Sequence, residues 1–234
     1  MDDDKAIPFL GILMLDTKFP RILGDAGNVD SYPVPARVHV VDGAGSLDIV
    51  KDGLPPEHLI QAFCKAAKRL ESDGAFAIVS TCGFLITVQD QISDAVNVPV
   101  MMSALSLYPQ IRAKFGENPI GIITASYKNL GDTALQAAGM ERQDVRISGM
   151  EDCAAFAKVI LQPKDQQLMS IDPVAIEASV IDKALSLLKS NPDICAFLLE
   201  CTNLPPYAKA IEMATGRSVF SILDGVDYLI KTKH

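Results

Sequence analysis

Ala75-Phe76-Ala77-Ile78-Val79-Ser80-Thr81-Cys82-Gly83-Phe84 is a short apolar run that stops at a cysteine. The same shape returns 119 positions later, from 82 to 201, as Ile194-Cys195-Ala196-Phe197-Leu198-Leu199-Glu200-Cys201-Thr202-Asn203. Apolar runs of this length without polar alternation read as parallel strands buried on both faces. The carboxyl ends of such strands are where open α/β sheets hold ligands. Two thiols are thereby offered at equivalent places.

The repeat extends beyond the cysteines without a gap. With the same offset Asp52-Gly53 meets Ile171-Asp172, Ile92 and Ala95 meet Ile211 and Ala214, and Val100-Met101 meets Val219-Phe220. Upstream, Pro8-Phe9-Leu10-Gly11-Ile12-Leu13 is echoed at a slightly different offset by Pro119-Ile120-Gly121-Ile122-Ile123. The expected fold is α/β: two pseudo-symmetric doubly wound domains with mainly parallel sheets and the active site in the cleft between them. The expected boundaries are 1–104 with the last helix, 224–234, for the first domain and 105–223 for the second.

Composition narrows the function. Hydrophobic residues make up 49% of the 234 residues, enough for two buried cores of about 110 residues each. A net charge of −8 without a cluster of Lys and Arg argues against a nucleic-acid partner. An anionic substrate must then be held by local donors, not drawn in by the global field. No apolar stretch approaches the ~20 residues of a membrane span, and no basic segment precedes an apolar one as in an export signal, so no membrane partner and a cytoplasmic location are expected. Five cysteines, an odd number, are expected to be free thiols. No CxxC or Cys/His cluster is present and the histidines are only His39, His58 and His234, so no metal is expected. The acidic run Met1-Asp2-Asp3-Asp4-Lys5 is left outside the fold argument.

Along the chain, a strand is expected over 8–15, with Asp16 and Thr17 just past its carboxyl end as either a turn or a binding contact. The loop from Lys18 to Asn28 lacks the GxGxxG spacing of a dinucleotide site. Arg21 on that loop either pairs with a substrate carboxylate or is a solvated charge. Strand 36–41 carries His39, which reads as structural. Helix 55–71 follows Pro55-Pro56 with Leu59, Ile60, Phe63, Ala67 and Leu70 at helical spacing, and Cys64 shares that face. Further elements are a helix over 88–97, a strand over 98–102, a helix over 107–115 closed by Gly116, and a strand over 120–124 ending in Thr124-Ala125-Ser126-Tyr127. The hydroxyls of Thr124 and Ser126 suit either an anion or a helix cap. Cys153, in the amphipathic segment 151–161, and Cys195 read as buried and inert. Asp172-Pro173 caps a helix through Lys189, and the chain ends with a helix over 206–215, a strand over 218–222 and a helix over 224–231.

Two thiols at two equivalent strand ends suit proton transfer at carbon. One group removes a proton from one face of a carbon acid while the other delivers a proton to the opposite face, and chemically equivalent residues do this in both directions. Backbone N–H groups of the turns after Cys82 and Cys201 would favour the thiolates. Gly83 would let a ligand approach the backbone closely.

On these residues the chain resembles the cofactor-independent aspartate/glutamate/hydantoin racemase superfamily. The likeness runs through the Gly-Ile-Leu opening strand, Ser80-Thr81-Cys82-Gly83-Phe84, the Gly121-Ile122-Ile123-Thr124-Ala125 strand and Glu200-Cys201-Thr202-Asn203-Leu204-Pro205. The resemblance implies two pseudo-symmetric halves, paired cysteines that abstract and return an α-proton without pyridoxal phosphate, and no other cofactor. It implies Cys82 and Cys201 as the acid/base pair, with Thr81, Gly83, Thr124, Ser126, Thr202 and Asn203 holding the carboxylate of a small anionic substrate, and a homodimer as a common assembly. Glutamate racemases usually show Asp-Ser where this chain has Asp16-Thr17, Asn-Thr where it has Gly83-Phe84, and Cys-Thr-His where it has Asn203. Phe84 makes the pocket less polar. The expected activity is racemisation or epimerisation of an amino acid or related α-substituted acid. The alternatives are a decarboxylase or cis-trans isomerase of the same superfamily, and a two-lobed protein that only binds small acids.

Overall fold

The structure, a computed structural model, describes residues 7–232. The acidic run 1–5 and His234 lie outside the described residues. The chain runs β1 (Phe9–Leu15), β2 (Ala36–Val41), α1 (Ser46–Ile49), α2 (Glu57–Ser72), β3 (Ala75–Ser80), α3 (Gln89–Asp94), β4 (Val100–Met101) and α4 (Tyr108–Phe115). It continues with β5 (Ile120–Thr124), α5 (Asp132–Ala137), β6 (Val145–Gly149), α6 (Ala154–Ile160), α7 (Pro173–Ser190), β7 (Ala196–Leu199), α8 (Ala208–Thr215), β8 (Ser218–Phe220) and α9 (Ile222–Thr232).

The strands form two four-stranded parallel sheets with the same order, β2-β1-β3-β4 and β6-β5-β7-β8. The fold is therefore α/β, as expected. In each sheet the order reverses between the first strand and the third, β1 beside β3 and β5 beside β7, which opens a crevice beyond their carboxyl ends. Those central strands are apolar because both faces are covered: β5 and β7 are buried at every residue. β2 alternates and is half-exposed because it is an edge strand, and His39 sits half-buried on it.

The helices follow from apolar spacing and caps. α2 buries Leu59, Ile60, Phe63, Ala66, Ala67 and Leu70 along one stripe. α7 is capped by Asp172, whose carboxylate accepts the Ala175 N–H at 3.0 Å, and Pro173 stands at its first position. α4 ends at Gly116, whose φ of +71° is open to glycine at little cost. After each cysteine the chain forms a 3-10 helix, Gly83–Val88 directly after Cys82 and Pro205–Tyr207 four residues after Cys201. Residues 125–150, for which the sequence suggested no element, contain α5 and the edge strand β6. Cys153 is buried, whereas Cys195 is only half-buried and lies just before β7 instead of within it. No helix among the described residues is long and apolar enough to cross a membrane.

Candidate active site

The two crevices open onto one small, mostly enclosed cavity. Leu15, Thr17, Phe19 and Arg21 reach it from the end of β1 and the loop beyond, and Thr81, Cys82, Gly83 and Phe84 from the end of β3. Ala125 contributes from the end of β5, and Glu200, Cys201, Thr202 and Asn203 from the end of β7. Ser46, Val50 and Ile160 complete the walls. Both sheets thus supply the wall through topologically equivalent segments, and each brings one thiol. All cysteines are free, and Cys82 and Cys201 are only 6% and 5% exposed.

Of the residues singled out in the sequence, Cys82, Cys201, Arg21, Thr81, Gly83, Phe84, Thr202 and Asn203 meet on this cavity, and Asp16, Thr124 and Ser126 do not line it. Asp16 pairs instead with Lys164, which together with the Gly43 N–H holds its carboxyl below the usual range. Thr124 is buried and donates its hydroxyl to Glu200 Oε2 at 2.7 Å. Ser126 is buried and is not among the residues that line the cavity.

Glu200 carried no expected role, yet it is fully buried and lines the cavity. Burial pushes its carboxyl up to about 7, against the downward pull of the Thr124 hydroxyl and the Ala125 N–H. The available signal was a carboxylate at the end of an otherwise apolar strand. Gly83 packs directly against it. A Cβ there would run into the carbonyl oxygen and Oε1 of Glu200, so the residue is glycine for room and not for an unusual φ. Gly83→Ala is expected to destabilise the fold by about 1–3 kcal/mol through overpacking. Urea denaturation measures this, and an unchanged midpoint would show that the contact is slack.

A hydrogen-bonded chain leads away from the second thiol. Cys201 Sγ donates to Asn203 Oδ1 at 3.6 Å, Asn203 Nδ2 donates to Asp25 Oδ2 at 2.7 Å, and Asp25 Oδ1 accepts from the Gly27 N–H at 2.7 Å and from Arg21 Nη1 at 3.2 Å. Arg21 also donates to Thr17 Oγ1 at 3.0 Å and stacks on Phe19 with its guanidinium 4.3 Å from the ring centroid. These contacts fix the loop over the cavity, helped by the Ala26 N–H to the Thr202 carbonyl at 3.1 Å. Asn203→Ala leaves the buried Asp25 without one donor and is expected to cost about 1–3 kcal/mol of stability. Equilibrium unfolding of the variant checks this, and a loss well under 1 kcal/mol would mean that water replaces the amide.

The turns beyond the cysteines do less for the thiolates than their sequences promised. The N–H groups of Phe84 and Leu85 and the charge of Arg21 favour ionisation of Cys82, but burial, followed by the neighbouring Glu200, outweighs them and pushes the thiol up to about 12. Burial raises Cys201 well above the usual thiol range, followed by the charges of Glu200, Cys82 and Asp25 against one favourable N–H from Asn203. Both are therefore neutral thiols near neutral pH. Among the described residues, no group of three or more His, Cys, Asp or Glu is placed to hold a metal ion.

No protein-family model matches the chain. Two parallel sheets of like order close on a cavity that receives one thiol from each. Solved structures share that fold: allantoin racemase from Klebsiella pneumoniae aligns with a TM-score of 0.62 over 96% of this chain and 89% of its own, at 12% identity. Unliganded arylmalonate decarboxylase aligns with a TM-score of 0.55 over 91% and 86%, at 16% identity. Nearer in sequence, a dimethylsulfoniopropionate lyase from Durusdinium sp. clade D is 30% identical over 230 residues, covering 95% of this chain and 74% of its own length. Dimethylsulfoniopropionate lyase 7 from Emiliania huxleyi is 29% identical over 237 residues, covering 95% and 67%. The chain belongs to the dimethylsulfoniopropionate lyase family.

That membership corrects the expected activity. The relatives are lyases, not racemases or epimerases, so the isomerase expectation is overturned. The physical reason for the error is that a thiol beside a carbon acid begins both reactions in the same way, by taking the α-proton. Whether the carbanion is reprotonated or expels a group is decided by the substrate's own leaving group, and the cysteine pattern is silent on that.

Proposed function

We propose that this chain is a lyase that eliminates dimethyl sulfide from dimethylsulfoniopropionate or a close β-sulfonio acid. The observation that carries this is the meeting of two buried thiols on one small cavity, in a chain of this family. A thiolate takes the α-proton, the C–H electron pair becomes the carbon–carbon double bond, and the C–S pair leaves with neutral dimethyl sulfide. Acrylate remains, the cysteine holds the proton, and that proton passes to solvent before the next turnover. The leaving group needs no acid, so one base suffices.

The base in this mechanism is Cys201. Beyond burial, its ionisation is opposed by the negative charges of Glu200, Cys82 and Asp25, whereas Cys82 faces Glu200 with Arg21 in partial compensation. A sulfonium entering the cavity offsets negative charge, and it helps most where that charge is most concentrated. The substrate thereby assists in generating the base that attacks it. Substrate-carboxylate donors are at hand in Arg21 and in the Thr202 hydroxyl, which is buried and has no partner among the described residues.

The pseudo-symmetry is broken around the thiols in a way that suits a single base. With the offset of 119 positions Thr81 corresponds to Glu200, Gly83 to Thr202 and Phe84 to Asn203. Inversion between mirror-image acids asks for two matched thiols, whereas elimination does not. The test is direct: incubate the protein with dimethylsulfoniopropionate at pH 8, follow dimethyl sulfide by headspace gas chromatography and acrylate by NMR. Equimolar release of both is expected. Substrate that stays intact at enzyme concentrations of tens of micromolar sinks the proposal.

A further inference from the structure

Two charged side chains line the cavity, Arg21 and Glu200, and their signs are opposite. Arg21 has its partners in Asp25, Thr17 and the Phe19 ring. Glu200 is only half satisfied: Oε2 accepts from Thr124, while Oε1 has no hydrogen-bond partner among the described residues and lies against Gly83. An unpaired oxygen in a fully buried side chain is costly to keep.

The backbone asks Glu200 only for an acceptor for the Ala125 N–H, which a hydroxyl also supplies, as Thr81 Oγ1 does for the Leu15 N–H. At the corresponding place in the first half, Thr81 makes the same strand contact, its N–H to the Leu13 carbonyl at 3.0 Å, as Glu200 makes to the Ile123 carbonyl at 3.0 Å. A threonine therefore serves the fold equally well. Around Glu200 the wall is otherwise largely apolar, with Leu15, Val50, Phe84, Ala125 and Ile160. In such surroundings a carboxylate oxygen with no donor is matched by an alkylated cation, which brings positive charge and no N–H, and an aromatic face such as Phe84 adds to the attraction.

The geometry points to Glu200 as the residue that recognises the cationic group of the substrate, through the charge of its half-satisfied carboxylate in the cavity wall, with Arg21 and Thr202 as donors to the substrate carboxylate. This rests on the lyase proposal and deepens it by naming the residue that reads the substrate's positive charge. Glu200 is then a specificity-determining residue, and a neutral isostere of the substrate leaves Oε1 unpaired in a closed site.

The test separates recognition from turnover by using a pair of ligands that differ only in charge. Binding of 3-(trimethylammonio)propionate and of 4,4-dimethylpentanoate is measured by calorimetry at pH 8 for the wild type, Glu200→Gln and Glu200→Asp, with circular dichroism confirming the fold of each. The wild type is expected to prefer the cation by tenfold or more, Glu200→Gln to lose that preference, and Glu200→Asp to keep most of it. A preference unchanged in Glu200→Gln overturns the proposal. So does a wild type that binds both ligands equally or binds neither, a result that needs no variant to fold. If the charge preference is present and depends on Glu200 while the wild type releases no dimethyl sulfide, the lyase proposal fails and the recognition role stands.

Discussion

Cys201→Ala is expected to lower kcat for dimethyl sulfide release by about 10²–10⁴-fold, the usual contribution of a positioned general base. The residue is 5% exposed, its sulfur is oriented by Asn203, and it stands on the cavity wall. Alanine keeps the backbone and removes the proton acceptor at that place, so circular dichroism is expected to match the wild type. Cys201→Ser is expected to fall almost as far, since a buried hydroxyl ionises even less readily than a thiol. Cys82→Ala is expected to retain more of the rate than Cys201→Ala. The comparison is made from initial rates at saturating substrate, and the reverse order would transfer the role of base to Cys82.

The second large effect concerns stability against pH. The Glu200 carboxyl stands at about 7 in the folded chain, above its ordinary value of 4.5, because burial disfavours the charge. The folded state therefore binds more protons than the unfolded state between those values, and stability falls as pH rises. This contribution is fully present below about pH 4.5 and is lost as pH rises through about 7, on the order of 3 kcal/mol in all. Asp16, Asp144 and Asp152 have lowered values, so their contributions are present above their ordinary 3.8 and are lost in more acidic solution. Subtracting the profile of Glu200→Gln isolates the one group. The difference in unfolding free energy between wild type and variant is expected to fall by that amount from pH 4.5 to 8, and parallel profiles would rule out a buried, displaced carboxylate.

The fold was legible where apolar runs were long or repeated. Strands 36–41 and 120–124 are found where the sequence placed them, and the in-register repeat foretold two like-ordered sheets. β6 escaped notice because Val145-Arg146-Ile147-Ser148-Gly149 is an edge strand with only its two ends fully buried, so its composition resembles a loop. The cysteines announced themselves by position in the repeat. The placement of Glu200 did not, since it packs against Gly83, which is far away in the chain, and local pattern carries no record of such a contact. Thr124 was noticed for its hydroxyl, but its direction is set by that same carboxylate. Substrate class was out of reach for a related reason: the residues that line the cavity are ordinary types in unusual surroundings.

The bond from Asn203 to Asp25 spans 178 positions of the chain. A fragment comprising either sheet would own one of the two cavity-lining thiols and half a wall, and the loop that carries Arg21 would lose its contacts to Asn203 and Thr202. The cavity is thus a property of the docked pair, because the closure entropy of that long span must be overcome before the wall exists. On dilution from denaturant, helical circular dichroism should return ahead of thioether evolution, the interval being the time the halves take to find each other.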